Sequence, residues 1–255
     1  MTERVGATGG IRDAAHQARY SLRYVLSGYP AVHVPLTRLR HPSRPDRLVS
    51  RDTELVIEGF GRSGNTFAVV AFELAQPRPV RIVHHTHAAA QVIRAARMGI
   101  PAILLVRDPV ATAISHMMYR PVTARAALTA WIRYHTRLLP VRAGIVVAPF
   151  EVTTSDLGSV IREVNRRFGT SFREFHHTPD NVEAVFRRIE ELNQERYGRL
   201  TETISRPTAE RERRKALLKR EVKRPDLARH RARAEAIYRR LLEPREGGPR
   251  SVAGR

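Results

Sequence analysis

Short apolar runs alternate with helical patterns through the first two thirds of the chain. Four runs have the length and composition of β-strands: ELVIEGF, VRIV, AILLV and GIVVA, which begin at Glu54, Val80, Ala102 and Gly144. Helical spacing follows these runs, and prolines or glycines end several of the helices. The alternation predicts an α/β fold of three layers, in which a mostly parallel sheet is covered by helices on both faces.

The remaining segments are helical or weakly patterned. After Ser155 the chain carries only helical patterns, at 156–168, 181–196, 208–223 and 226–242. We therefore expect a weakly patterned N-terminal segment, an α/β domain, a basic helical extension that packs on or completes this domain, and a disordered tail, at residues 1–50, 51–205, 206–242 and 243–255.

The chain is strongly basic and lacks cysteine: it carries 45 Lys+Arg against 25 Asp+Glu, a formal net charge of +20. Half of this excess lies in residues 206–255, and it favours a polyanionic partner without naming one. The absence of cysteine excludes disulfides, thiolate zinc sites and cysteine nucleophiles. Neither a signal peptide nor an apolar membrane span is evident, so we expect a cytoplasmic protein, with peripheral membrane contact left open.

The first predicted strand ends in a loop with phosphate-binding spacing. Residues 59–66 read GFGRSGNT, a G-x-x-x-x-G-x-[ST] pattern, with Asn65 where nucleotide-hydrolysing proteins have lysine. That lysine contacts the β- and γ-phosphates, so a loop without it favours a ligand lacking a γ-phosphate, and Arg62 is placed to supply positive charge. The structural alternative is an ordinary glycine-rich turn between a strand and a helix.

The second predicted strand runs into three histidines, His84, His85 and His87. A zinc site is one interpretation, but no carboxylate or cysteine stands at ligand spacing. A general base is the favoured interpretation, because histidine titrates near neutral pH and the carboxyl ends of parallel strands gather functional groups.

The third predicted strand is followed by Arg107-Asp108-Pro109, with Ser115 eight residues after the arginine. Eight residues are slightly more than two helical turns, so Ser115 returns to the face of the helix entrance and can share an anion with Arg107. An Arg–Asp pair beside a proline in the first helical turn is the structural alternative.

Taken together, GFGRSGNTF, HTH and LLVRDPVATAIS resemble the sulfotransferases that use 3′-phosphoadenosine 5′-phosphosulfate (PAPS). The resemblance spans about residues 54–170, follows the motif order of that family and is stronger toward its bacterial members. It implies a P-loop-like sulfotransferase architecture, with PAPS as co-substrate and no metal. The residues that it assigns to the nucleotide are Arg62, Ser63, Gly64, Asn65, Thr66 and Phe67 around the 5′-phosphosulfate, and Arg107 and Ser115 on the 3′-phosphate.

The resemblance also names catalytic residues and shows departures. His87 matches the catalytic histidine of the family, and His85 replaces the lysine of its K-T-H segment. Phe150 and Glu151 stand at the positions of a Tyr-Glu pair, where Glu151 is expected to be structural. The C-terminal Arg-Lys-Gly loop of the family is absent, and Arg206 is predicted to replace it at the 3′-phosphate.

The resemblance predicts transfer of a sulfuryl group from PAPS to a hydroxyl or amine of an unidentified acceptor, such as a carbohydrate or a lipid. His87 would remove the acceptor proton, Arg62 would stabilise the leaving group and Phe67 would lie near the adenine. Two alternatives stay open. A kinase-like phosphotransferase is disfavoured by Asn65, and a non-enzymatic nucleic-acid-binding protein by the absence of a base-reading motif, so nucleic acid is not an expected partner.

Overall fold

Four strands form the centre of the computed structural model, which describes residues 7–44, 47–197 and 209–244. The strands are β1 (Leu55–Gly59), β2 (Ile82–His84), β3 (Ala102–Val106) and β4 (Val146–Pro149). They lie in the order β2-β1-β3-β4, and every neighbouring pair is parallel. Because β1 and β3 are fully buried, they are mostly apolar, and β3 reads as a continuous apolar run. The predicted α/β fold class is confirmed.

Helices account for most of the remaining described residues. The α-helices are α1 (Ala7–Leu26), α2 (Pro30–Arg40), α3 (Asn65–Ala75), α4 (Ala89–Met98), α5 (Pro109–Tyr119), α6 (Ala124–Thr136), α7 (Phe150–Ser155), α8 (Leu157–Phe168), α9 (Pro179–Tyr197), α10 (Ala209–Val222) and α11 (Ala228–Leu242). Short 3-10 helices span Leu139–Gly144 and Pro225–Leu227. No helix within the described ranges is both long and apolar enough to cross a membrane.

The sheet separates two hydrophobic cores. Side chains alternate along each strand, so Val56 and Leu104 enter one core while Ile57 and Ile103 enter the other. The first core lies under α1, α4, α5, α6, α10 and α11, with the fully buried Trp131 among its largest side chains. The second lies under α3, α8 and α9. This arrangement is the predicted three-layer architecture.

Several element boundaries differ from the sequence prediction. Strand β2 begins at Ile82 instead of Val80, and β4 begins at Val146 because a 3-10 helix continues to Gly144. Helix α4 begins at Ala89, so His87 lies in the connection between β2 and this helix. His87 has φ 50°, a left-handed backbone conformation that is not compatible with a right-handed α-helix.

The described part of the N-terminal segment, which is weakly patterned in sequence, contains two α-helices. Helix α1 packs against α6 and buries Tyr20 and Tyr24 in the first core, while α2 packs against α4. The pattern of α2 escaped detection because the helix carries Pro35 internally and has no buried residue. A helix that buries no side chain therefore shows no apolar periodicity in its sequence.

The C-terminal helices complete the first core. Helix α10 packs against α5, and α11 packs against α6 and α5. Val222, Leu227 and Leu241 are buried between these elements. The division of the chain near residue 206 stays a prediction, and Arg206 lies outside the described residues, as does the tail from 245 onward.

Candidate functional site

A large cleft opens at the carboxyl ends of β1, β2 and β3. Its floor contains the loop after β1, with Arg62 and Thr66, the connection after β2, with His87, and Arg107 after β3. The carboxyl ends of parallel strands meet at one edge, so three segments distant in sequence converge there. The structure thus brings the predicted strand-end residues together.

The loop after β1 is tightly curved, and two of its glycines are sterically required. A Cβ on Gly59 would lie 2.5 Å from the Leu105 carbonyl oxygen of the neighbouring strand. Gly64 has φ 86°, and a Cβ there would lie 3.2 Å from the ring of Phe150. Arg62 has φ 73°, a left-handed conformation that is strained in a residue with a side chain.

The loop delivers the N-terminus of α3 into the cleft. Gly64 is the N-cap of this helix, and no side chain caps it. The first backbone N–H groups of a helix have no intrahelical partner, and with the helix dipole they attract an anion. Asn65 and Thr66 begin the helix, so their N–H groups belong to this set. The arrangement is the one that the loop spacing predicted.

The side chains of Ser63 and Asn65 are buried at the loop, and that of Asn65 supports it from inside the protein. Asn65 Nδ2 donates to the Phe60 carbonyl oxygen at 3.1 Å, and Ser63 and Asn65 are both buried. Ser63 Oγ and Asn65 Oδ1 are buried without a hydrogen-bond partner among the described residues. Asn65 therefore occupies the position of the phosphate-loop lysine without extending a charge to the ligand.

Phe67 packs chiefly in the second core. Its ring lies 6.3 Å from Phe175, 5.9 Å from His177 and 6.0 Å from Phe186, measured between centroids. The residue is 9% exposed and borders the cleft. The adenine contact stays a prediction, and it would have to use this small exposed part of the ring.

Two arginines and Ser115 form a connected group beside the loop. Arg62 Nε donates to Ser115 Oγ at 3.1 Å, and Arg107 Nη1 donates to the Arg62 carbonyl oxygen at 3.2 Å. Ser115 therefore contacts Arg62 directly, whereas sequence spacing had paired it with Arg107. Burial lowers the pKa of Arg107, as expected of a guanidinium partly removed from water.

Aromatic rings hold both guanidinium groups in place. Arg62 Cζ lies 3.8 Å from the centroid of Tyr119, and Arg107 Cζ lies 4.0 Å from the centroid of Phe150. Such stacking orients a guanidinium while leaving its N–H edge available to an anion. Tyr119 was not singled out from the sequence, and Phe150 was visible only as an echo of a family motif.

His87 has one nitrogen committed to the protein. Its Nδ1 lies 2.9 Å from the Gly59 carbonyl oxygen. Because a carbonyl can only accept, Nδ1 carries the proton and Nε2 keeps its lone pair. Burial, together with the positive charges of Arg23, Arg120 and Arg62, lowers the pKa of His87 to about 4. The ring is therefore neutral near physiological pH and able to accept a proton at Nε2.

A buried carboxylate, Glu58 on β1, holds the segment that carries His87. One carboxylate oxygen accepts from Thr86 N at 2.6 Å and Thr86 Oγ1 at 2.7 Å, and the other accepts from His87 N at 3.0 Å. Burial raises the pKa of Glu58 to about 7 despite these bonds. The signal was available in the sequence, because Glu58 interrupts an otherwise apolar strand.

The other two histidines of the segment contact each other and the loop. His84 and His85 interact through their Nδ1 atoms, and His85 Nε2 lies 3.1 Å from Thr66 Oγ1. Across residues 7–44, 47–197 and 209–244, no group of three or more His, Cys, Asp or Glu side chains could hold a metal ion.

Helix α1 supports the loop through His116, a residue that sequence reasoning missed. His116 Nε2 lies 3.1 Å from the Gly61 carbonyl oxygen, and Nδ1 lies 3.2 Å from the Tyr20 hydroxyl. The carbonyl can only accept, so Nε2 is protonated and Nδ1 accepts from Tyr20. A Cβ on Gly61 would lie 2.7 Å from His116 Nε2, so this support requires glycine.

The chain has a weak structural resemblance to a known protein. One solved structure that the chain resembles is mouse sulfotransferase SULT7A1 complexed with PAP, with a TM-score of 0.41 and 13% sequence identity. The match covers 76% of this chain and 91% of that chain. No protein-family model matches the chain, and no curated protein matches it in sequence.

Proposed function

We propose that this protein transfers a sulfuryl group from PAPS to a hydroxyl or amine of an acceptor. One observation carries the proposal: His87 and the loop after β1 line the same cleft. His87 is neutral and its Nε2 can accept a proton, while Arg62 supplies the positive charge that lysine supplies in other phosphate loops. A loop without lysine suits a donor without a γ-phosphate, and PAPS is such a donor.

The proposed reaction is a single in-line displacement. His87 Nε2 accepts the acceptor proton while the acceptor oxygen or nitrogen forms a bond to sulfur. The bond between sulfur and the 5′-phosphate oxygen breaks, which gives the sulfated acceptor and 3′-phosphoadenosine 5′-phosphate (PAP). Arg62 and the N–H groups at the start of α3 stabilise the negative charge on the leaving phosphate.

Two anion sites would hold the nucleotide. The backbone of Ser63, Gly64, Asn65 and Thr66 surrounds the 5′-phosphate, and Arg107 with Ser115 binds the 3′-phosphate. The bond from Arg107 to the Arg62 carbonyl places the two arginines side by side, so one nucleotide can reach both. The predicted contribution of Arg206 falls outside the described residues.

Comparing two donors on one acceptor panel tests the proposal against a kinase-like activity. The full-length chain is incubated with PAPS or with ATP and Mg²⁺, together with hydroxyl- and amine-bearing acceptors. We expect PAP and sulfated product in equal amounts, also in the presence of EDTA. Phosphorylated product from ATP, with no turnover of PAPS, would overturn the proposal.

Gly64→Ala is expected to weaken PAP binding about tenfold or more, because it disturbs both the left-handed backbone and the Phe150 contact. Gly99→Ala is the matched control: Gly99 has φ 70°, and no atom lies within 4 Å of the position that a Cβ would take. Both variants should lose about 1–2 kcal/mol of stability from backbone strain. Calorimetric titration with PAP measures the difference, and equal PAP affinity in the two variants would contradict a role of the loop in binding.

Glu58→Gln is expected to lower kcat about 10- to 100-fold with little change in PAP affinity. Glutamine retains one acceptor oxygen but turns an NH₂ group toward the His87 N–H, so the segment carrying the base shifts.

The pH profile of kcat should also depend on Glu58. Since ionised Glu58 accepts all three hydrogen bonds, wild-type kcat should rise as the pH increases through about 7, and the variant should lose this rise. Steady-state kinetics across this range measure both effects.

Stability supplies a second readout for Glu58. Its folded pKa lies above the ordinary value, so the stability that it contributes is present at low pH and is lost as the pH rises through about 7. Wild type should therefore lose stability relative to Glu58→Gln between about pH 5 and about pH 8. Glu54→Gln, at an exposed ion pair with Arg78, is the control and should preserve kcat and its pH profile. A wild-type pH profile in Glu58→Gln would rule out the positioning role.

A further inference from the structure

The cleft extends well beyond the phosphate loop, and the N-terminal helices form one of its walls. Five arginines from this part of the chain line the cleft, and we call four of them the N-terminal basic wall: Arg19, Arg23, Arg40 and Arg47. The first three are exposed, so their guanidinium groups are accessible to a ligand. Helix α10 faces the cleft as well, with Lys215 and Lys219 among its lining residues.

Carboxylates do not neutralise this wall. Within the described part of the chain, none of its four arginines forms an ion pair, and Arg47 donates to His41 Nε2 at 3.0 Å. Three described carboxylates line the cleft, and each is engaged elsewhere: Glu212 pairs with Lys215, Glu195 pairs with Arg188, and Asp108 Oδ1 accepts from Ala111 N. The wall therefore presents uncompensated positive charge to whatever enters the cleft.

The wall reaches the proposed base. Arg23 of α1 and Arg120, which follows α5, both lower the pKa of His87, so both positive charges act at the imidazole. Both residues are exposed and line the cleft. Negative substituents near a hydroxyl positioned at His87 Nε2 would therefore be attracted by these positive charges.

The nucleotide does not account for this charge. In the proposed function its phosphates are bound by the α3 N-terminus, Arg62 and Arg107, which follow strands of the sheet. The wall comes from α1, α2 and the residue that follows them at position 47. Charges spread along two helices suit a ligand with several separated anionic groups better than one phosphate.

We propose that the acceptor is a soluble saccharide bearing several carboxylate, sulfate or phosphate groups, which the N-terminal basic wall binds while one of its hydroxyls or amines lies at His87. This inference rests on the proposed sulfuryl transfer. A saccharide offers spaced anions and hydroxyl or amine groups on one backbone, and it can enter a cleft bounded by α1 and α2 on one side and α10 on the other.

Binding measurements test the acceptor class without relying on turnover. The full-length chain, with and without saturating PAP, is titrated with a fluorescent trisulfated heparin-type disaccharide at near-physiological salt. The wall variant Arg19→Ala/Arg23→Ala/Arg40→Ala is compared with Arg97→Ala/Arg133→Ala/Arg233→Ala. The control removes the same charge from exposed sites that do not line the cleft.

We expect the wall variant to lose about tenfold in disaccharide affinity and the control to stay within about twofold, with PAP affinity unchanged in both. Equal losses in the two variants would show that net charge alone drives binding and would overturn the proposal. Binding to phosphatidylinositol-phosphate vesicles but not to the disaccharide would overturn it as well. Failure of PAP to bind would instead contradict the proposed function, while disaccharide binding without PAP still reports on the wall.

Discussion

Replacing His87 with alanine is expected to lower kcat by about 10²–10⁴-fold, the usual contribution of a general base. The ring is neutral near physiological pH, and its Nδ1–H bond to the Gly59 carbonyl leaves Nε2 as the proton acceptor. PAP affinity should change little, because the proposed phosphate contacts come from the loop and the arginines. Steady-state kinetics with PAPS and calorimetric titration with PAP measure the two effects separately.

His85→Ala is the matched control for this prediction. His85 lies in the same short segment and contacts Thr66 Oγ1, but Glu58 bonds to the backbone of Thr86 and His87 and not to His85. We expect its kcat to fall much less than that of His87→Ala. A larger loss in His85→Ala than in His87→Ala would show that the base has been assigned to the wrong histidine.

Arg107→Ala is expected to weaken PAP binding by about 10- to 100-fold, the loss that follows when a charge-assisted hydrogen bond to a phosphate is removed. Affinity for AMP, which lacks the 3′-phosphate, should fall much less. The ratio of PAP to AMP affinity, measured by calorimetry, is therefore the informative quantity.

The same ratio separates two roles of Arg107. Its Nη1 also donates to the Arg62 carbonyl, so the substitution can loosen the loop. A purely structural effect would lower PAP and AMP affinity equally, and that result would contradict binding of the 3′-phosphate by Arg107. Arg107→Lys keeps the charge but loses the planar guanidinium, so its PAP affinity should be intermediate.

The central strands of the sheet were predictable from sequence because β1 and β3 are buried on both faces. Such strands read as continuous apolar runs, and AILLV coincides with β3 from Ala102 to Val106. The edges of elements were less predictable: β2 begins two residues after the expected Val80, at Ile82. Helix α2 could not be recognised, because it buries no residue and so lacks an apolar stripe.

The part of the candidate site that lies in one loop was predictable, because the sequence pattern of that loop is local. Glycine spacing indicated the curvature at Gly59 and Gly64, and both positions are sterically required. Contacts between the loop and residues that are distant in sequence were not predictable in this way. The Tyr20–His116 contact joins residues 96 apart, and nothing in the local sequence of either residue points to the other.

The structure also changes how the net charge is interpreted. The most basic segment in sequence follows residue 206, yet α10 and α11 bury Val222 and Leu241 and complete a core. The N-terminal segment holds less of the excess, but five of its arginines line the cleft. The position of a charged residue relative to the site decides whether it meets a ligand, and composition does not report that position.

Calorimetric titration of the full-length chain with PAP, AMP and ATP, each with and without Mg²⁺, tests the central claim most directly. The proposed site has two places for phosphate, at the start of α3 and at Arg107, and a loop without the lysine that γ-phosphate requires. We predict that PAP binds more tightly than AMP or ATP, and that Mg²⁺ does not change its affinity. Mg²⁺-dependent binding of ATP together with no binding of PAP would contradict the account.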